Sequence, residues 1–137
     1  MGPVVLDTSV VIAAIEARDA HHAECANALT DLRKRAVPMR LAAITVAELF
    51  AMRGEGRAAR LEKVRAFIGP LGEGAVVPMD RAMAERAGEL RASRRRIGLA
   101  DAVIKATAEQ IDADSVLTTD RDLARLDGVT FVGSARR

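Results

Sequence analysis

The sequence predicts an α/β fold, with a central, mainly parallel sheet flanked by helices on both faces. Two observations predict it. Short apolar, β-branched runs alternate along the whole chain with longer helical patterns, and strands separated by helices pair in parallel. Carboxylates also stand directly after such runs: Asp7 follows VVL, and Asp120 follows VLTT. The carboxyl ends of strands are where open parallel sheets bind ligands.

Residues 3–7 read as a short buried strand, apolar and too short for a helix. Thr8 or Ser9 can cap a helix over residues 9–17. A second helix covers 20–35, with Ala23, Ala26, Leu29 and Leu32 at apolar spacing, and Pro38 ends it. Met39 to Ile44 form a second strand. Thr45 opens the helix TVAELFAMR, which runs into Gly54 and Gly56. LEKVRAFI is again helical and stops at the loop GPLGEG. AVVPM is a third strand. Asp80 caps a helix through Arg96, and Ile97-Gly98 separates it from the helix LADAVIKATAEQ. VLT, the short helix DLARL and the strand VTFV complete the chain. Repeats, low-complexity segments and interdomain linkers are not apparent, so residues 1–137 are expected to form a single domain.

Half of the residues are hydrophobic and 29% are charged, a balance unlike that of disordered or membrane chains. Aromatics make up only 2%, with no Trp or Tyr, so the core must be aliphatic. That composition also disfavours nucleic-acid binding through base stacking on aromatic rings. One cysteine, Cys25, permits no intrachain disulfide. With no signal-peptide pattern and no run long enough for a bilayer, the expected setting is cytoplasmic, without a membrane partner. Net charge is +2, but the arginines cluster: Arg33-Lys34-Arg35, then Arg53, Arg57 and Arg60, then Arg91 and Arg94–Arg96, then Arg136-Arg137. Each cluster alone reads as a solvated surface. A basic surface beside an acidic site would instead suit phosphate.

Four acids carry the argument. Asp7 and Asp120 end strands. Glu48 and Asp101 fall in the first turns of helices. Singly, each has an ordinary reading. Asp7 and Asp120 can cap helices, Glu48 can close the capping box Thr45-x-x-Glu48, and Asp101 can favour a helix N-terminus. Asp7, Glu48 and Asp120 fall on or near one edge of the sheet, and Asp101 joins them if its helix begins at that edge. Asp7 and Asp101 are both embedded in apolar sequence. Buried like charges are costly and raise one another's pKa. A divalent cation removes the conflict. A site of carboxylates alone suits Mg²⁺ or Mn²⁺. Such an ion lowers the pKa of a water and offsets charge on a phosphoryl oxygen, so phosphodiester hydrolysis is the natural reaction. Ser9 and Thr118 can orient the carboxylates.

The ordered set VVLDTSVVIA, ITVAELF, LADAVIKATA and VLTTDRDLARL resembles the PIN-domain ribonucleases, most closely the toxins of VapBC toxin–antitoxin pairs. The resemblance spans nearly the whole chain. It implies a PIN-like fold with metal-holding, catalytic acids at Asp7, Glu48, Asp101 and Asp120, and supporting hydroxyls at Ser9 and Thr118. Asp122 stands as an alternative or auxiliary to Asp120. It further implies Mg²⁺- or Mn²⁺-dependent endoribonuclease activity on tRNA or ribosomal RNA, a homodimer, and inhibition by a cognate VapB-type antitoxin that covers or enters the acidic site.

Other readings have distinct signatures. A phospho-acceptor receiver domain wants an early acidic pair and a lysine after a late strand, whereas Asp7 is single and Lys105 lies within a helix. A haloacid-dehalogenase-type phosphatase wants Asp at position 9, which is Ser. A non-catalytic RNA- or protein-binding module would keep the fold and bind without cleaving. His21 and Cys25, at i and i+4, are too few for a structural zinc site. His21 and His22 are expected at the surface and Cys25 in the core. Met39, Met52, Met79 and Met83 are expected as core or interface filler.

Overall fold

The structure is a computed structural model that describes residues 2–134. Five strands, β1 (Val4–Leu6), β2 (Met39–Ala42), β3 (Val76–Val77), β4 (Ser115–Thr118) and β5 (Val129–Phe131), form one sheet in the order β3-β2-β1-β4-β5. Every pairing is parallel. Among the described residues six α-helices accompany them: α1 (Thr8–Ile15), α2 (His22–Lys34), α3 (Ala43–Phe50), α4 (Arg57–Ile68), α5 (Arg81–Ser93) and α6 (Leu99–Gln110). Arg136 and Arg137 lie outside the described residues.

Side-chain alternation along the strands sorts the core into two layers. Val4, Leu6, Met39, Leu41 and Leu117 face one way, packing with Val10, Val11, Cys25, Leu29, Leu49 and Val64. Val5, Ala42 and Val116 face the other way, against Ile104 and Ala108 of α6. That helix pairs in turn with α5 through Met83, Ala87, Leu90, Ala102, Val103 and Ala106. Strands β1, β2 and β4 are therefore largely buried on both faces, which is why they read as mostly apolar runs. Met39 and Met83 are core residues as expected, but Met79 is 52% exposed.

One boundary differs from the sequence reading in a way that matters for the site. Helix α3 begins at Ala43, and its N-cap residue is Ala42, so Thr45 lies inside the helix. The apolar strand β2 passes into α3 without a polar break, which leaves nothing in the sequence to mark the join. Glu48 consequently lies in the second turn, and the capping box is not formed.

The strand order fixes where a ligand can sit. From the central β1 the chain winds outward to β2 and β3, then crosses back to place β4 on the other side of β1. The crevice at the carboxyl ends of β1 and β4 is the topological switch point of the sheet. Asp7 follows β1, and Asp120 follows β4 by one residue.

Candidate metal centre

Asp7 is 4% exposed and occupies the N-cap position of α1, yet its carboxylate caps nothing. Two hydroxyls hold it instead. Ser9 Oγ donates to Asp7 Oδ2 at 2.8 Å, and Thr118 Oγ1 donates to the same oxygen at 2.7 Å. Each hydroxyl also accepts a backbone amide: Ser9 from Thr119 N at 3.1 Å, Thr118 from Asp120 N at 3.0 Å. The Asp-Thr-Ser turn after β1 and the Thr-Thr-Asp turn after β4 are thereby laced together. Both hydroxyls use their donor and an acceptor site. Among the described residues no hydrogen-bond donor reaches Asp7 Oδ1, so one oxygen is anchored and the other is left to the crevice.

Glu48 is positioned by a residue that the sequence reading treated only as a helix cap. Thr8 Oγ1 donates to Glu48 Oε1 at 2.6 Å and lies 3.0 Å from Thr45 Oγ1. Thr8 and Thr45 are both buried. In sequence, Thr8 is distinguished only by standing between Asp7 and Ser9. Its partner lies 40 positions away, so no local pattern could have revealed the contact.

Asp101 lies in the first turn of α6, as expected. Burial is the main force on its carboxyl, followed by the negative charges of Asp7, Asp120 and Glu48 in that order. Together they push its pKa up to about 6, while a hydrogen bond with the Gly98 backbone acts weakly the other way. Asp7, Asp120 and Glu48 thus all fall within electrostatic reach of Asp101. Among the described residues no Lys or Arg ion pair involves any of them.

Asp120 has a double role. Its Oδ1 accepts the Asp122 amide at 2.8 Å and the Leu123 amide at 3.4 Å, capping the short turn Leu123–Arg125. Asp122 differs from it: its carboxylate is turned toward Arg96, whose guanidinium nitrogen lies 3.8 Å away.

The donor set is all oxygen and all anionic, which fits a hard divalent cation. Among the described residues, no three Asp, Glu, His or Cys side chains converge closely enough to ligate one ion directly. An ion held there would draw on the charge of these acids and fill the rest of its shell with water. Asp7 Oδ1 would be available to it, since Oδ2 is held from behind by Ser9 and Thr118.

The arginine clusters divide. Arg57 donates to the carbonyls of Met52 and Phe50, and Arg60 to those of Glu55 and Arg53, so these two tie down the loop after α3. Arg94, Arg95 and Arg96 are exposed between α5 and α6. With Arg125 and Asp122 they line a cavity of about 230 Å³ beside the Asp120 turn. A larger apolar cavity of about 540 Å³, lined by Val37, Met39, Phe67 and Leu71, lies at the start of β2, the sheet edge opposite the acids. Cys25 is buried in the core as expected. The histidines are not free surface residues. Both are half-buried, with His22 Nδ1 2.7 Å from the Ala13 carbonyl and His21 Nδ1 accepting the Ser134 amide at 2.9 Å.

The lacing hydroxyls are open to a direct stability test. Thr118→Val removes the donor to Asp7 and strands the Asp120 amide. Losing a buried hydrogen-bond partner costs about 1–3 kcal/mol. Urea unfolding of the metal-free protein should show a loss of that size.

A parallel five-stranded sheet with acids near its switch point defines an α/β protein with an anionic crevice. The PIN-domain model matches residues 4–129, and the chain belongs to the PIN-domain family. Among solved structures it is similar to FitAcB from Neisseria gonorrhoeae, at 26% identity and TM-score 0.72, covering 93% of this chain and 95% of that one. It is similar to VapBC-5 of Mycobacterium tuberculosis, a member of the VapBC family of toxin–antitoxin systems. There the identity is 25% and the TM-score 0.62, over 98% of this chain and 100% of the other. The toxin VapC20 of Mycobacterium tuberculosis, which cleaves the sarcin–ricin loop, shares the fold at 19% identity and TM-score 0.69, over 92% and 96% of the two chains. No curated protein matches the sequence.

Proposed function

We propose that the chain is a metal-dependent endoribonuclease toxin, with Asp7, Glu48, Asp101 and Asp120 holding one or two Mg²⁺ or Mn²⁺ ions. The observation that carries this reading is the uncompensated charge at the switch point. Four mutually repelling carboxylates, one of them with its pKa raised to about 6, lack any cationic side chain in ion-pair contact among the described residues. Membership of the PIN-domain family supports it.

When bound, the ion supplies positive charge against the phosphate and lowers the pKa of a water. The chain's own residues do the rest. Ser9 and Thr118 fix Asp7, and Thr8 fixes Glu48, so the crevice is organised before RNA arrives. Asp101, crowded by burial and by the charges of Asp7, Asp120 and Glu48, would be relieved by the ion's charge. Arg94, Arg95 and Arg96 stand at the rim, where their forks suit the flanking phosphates. Binding through such contacts weakens steeply with salt.

The similarity to a member of the VapBC toxin–antitoxin systems supports a VapB-type antitoxin as partner. That partner would cover the acidic crevice, with an arginine standing in for the ion's charge. A homodimer acting in the cytoplasm on tRNA or ribosomal RNA completes the proposal. No helix among the described residues is long and apolar enough to cross a membrane.

The test is incubation of the purified chain with total cellular RNA in Mg²⁺, in Mn²⁺ and in EDTA. Discrete fragments in either metal and none in EDTA are expected. Tight binding of RNA without cleavage in both metals would replace this reading with a non-catalytic module.

A further inference from the structure

Beside Asp120 lies a second cavity, of about 370 Å³, that the acidic site does not explain. His21, Thr119, Asp120, Arg121, Asp122 and Phe131 line it. Its walls are built with care. The Arg121 guanidinium carbon sits over the Phe131 ring, 4.0 Å from the centroid. The His21 ring meets Phe131 edge-on, with centroids 6.0 Å apart at 85°. The residues after β5 act as a strap. Ser134 gives its amide to His21 Nδ1, and its hydroxyl donates to the Ala20 carbonyl at 2.7 Å. Its own carbonyl accepts from Arg121 at 3.4 Å. A side chain at Gly133 would overlap His21 Nδ1 and come within 2.9 Å of Phe131 Cζ, so this close approach requires glycine. Since Nδ1 accepts, the ring proton of His21 is on Nε2, a donor with no acceptor among the described residues.

The chemistry of the walls is mixed. His21 and Arg121 offer N–H donors. Asp120 and Asp122 offer carboxylate acceptors. Arg121, backed by Phe131, offers a planar cation of the kind on which unstacked bases lie. A phosphate would have to enter between two carboxylates, whereas a base edge carries both donors and acceptors. The geometry points to a base-reading subsite: this cavity holds the nucleobase next to the scissile phosphate, and His21 and Arg121 set sequence preference as positioning residues. The inference rests on the ribonuclease reading for the role of the neighbouring acids. Phe131, Gly133 and Ser134 lie beyond the residues 4–129 that match the family model.

The experiment uses the full chain carrying Asp101→Asn, which relieves charge repulsion and prevents cleavage. Fluorescent hexaribonucleotides of A, C, U and a G-containing mixed sequence are titrated by anisotropy. His21→Asn keeps an acceptor for the Ser134 amide but lacks the Nε2 donor. Arg121→Lys keeps the charge but loses the plane. The background chain should prefer one base by about tenfold, the discrimination that roughly 1.4 kcal/mol supplies. Each added variant should bind the hexamers with little preference, and Arg121→Lys should retain most of the overall affinity. Equal affinity for all four hexamers, no binding, or an unchanged preference in both variants would overturn the inference. A base preference here, with a wild-type chain that cleaves none of the same hexamers in Mg²⁺ or Mn²⁺, would sink the nuclease reading and leave the subsite standing.

Discussion

Asp7→Asn is expected to lower metal-dependent RNA cleavage by at least about 100-fold while leaving the fold intact. Mutating the outer partners of a metal ligand alone typically costs roughly 10–100-fold, so loss of the ligand itself should exceed that range. The change is nearly isosteric. The amide oxygen can take the place of Oδ2 and accept from Ser9 and Thr118, so the lacing between the β1 and β4 turns survives. What changes is the other position, where a charged oxygen becomes an uncharged amide nitrogen that cannot ligate a cation. Initial rates on a defined RNA, beside circular dichroism of both proteins, provide the check. Full activity in Asp7→Asn would remove Asp7 from the centre of the mechanism.

Asp101→Asn should do the opposite to stability. The native carboxyl has a pKa of about 6, above the ordinary aspartate value of 3.8. The folded protein therefore holds its proton more tightly than the unfolded chain does. Linkage then gives a stability contribution that is fully present below about pH 4 and lost as pH rises through about 6. Above that, the ionised group destabilises the metal-free fold, by an amount that solvent screening of this half-buried carboxyl holds to about 1 kcal/mol. Asparagine does not ionise. Denaturant midpoints of the metal-free proteins should match near pH 4 and separate by pH 7.5, with the variant the more stable. Divalent ion should close the gap by stabilising the wild-type chain, since a ligand that binds only the native state shifts unfolding by mass action. A variant that is less stable at pH 7.5 would mean that Asp101 makes a structural contact rather than storing repulsion.

The two variants together state the trade between stability and function at this crevice. A fold that gathers carboxylates is less stable without its ion. This tension is also what made the site readable. Asp7 and Asp101 were conspicuous because a charge broke an apolar run, and the strand–helix alternation located the sheet edge where such charges gather. The parallel sheet with helices on both faces follows from the same alternation, because VVL, MRLA and SVLT are buried on both sides. What was not legible depends on distance in sequence. Thr8 bonds Glu48 across 40 positions, and Ser134 bonds His21 across 113. Nothing near His21 in sequence marks it as half-buried, because its partner is a backbone amide at the far end of the chain. The arginines were ambiguous for a related reason. Arg57 and Arg60 spend their donors on nearby carbonyls, whereas Arg94 to Arg96 remain exposed near Asp122, and composition treats both groups alike. The start of α3 was misplaced because Ala42 and Ala43 carry no cap to mark it.

The central claim is that the carboxylates at the ends of β1 and β4 gather to bind a divalent cation. Crystals of the protein grown with Mn²⁺ and measured for anomalous scattering test it most directly. The account predicts an anomalous peak at Asp7 Oδ1, with Asp101, Glu48 and Asp120 around it directly or through water, and no such peak in Asp7→Asn. An empty crevice at saturating Mn²⁺, or a peak that persists without the Asp7 carboxylate, would contradict it.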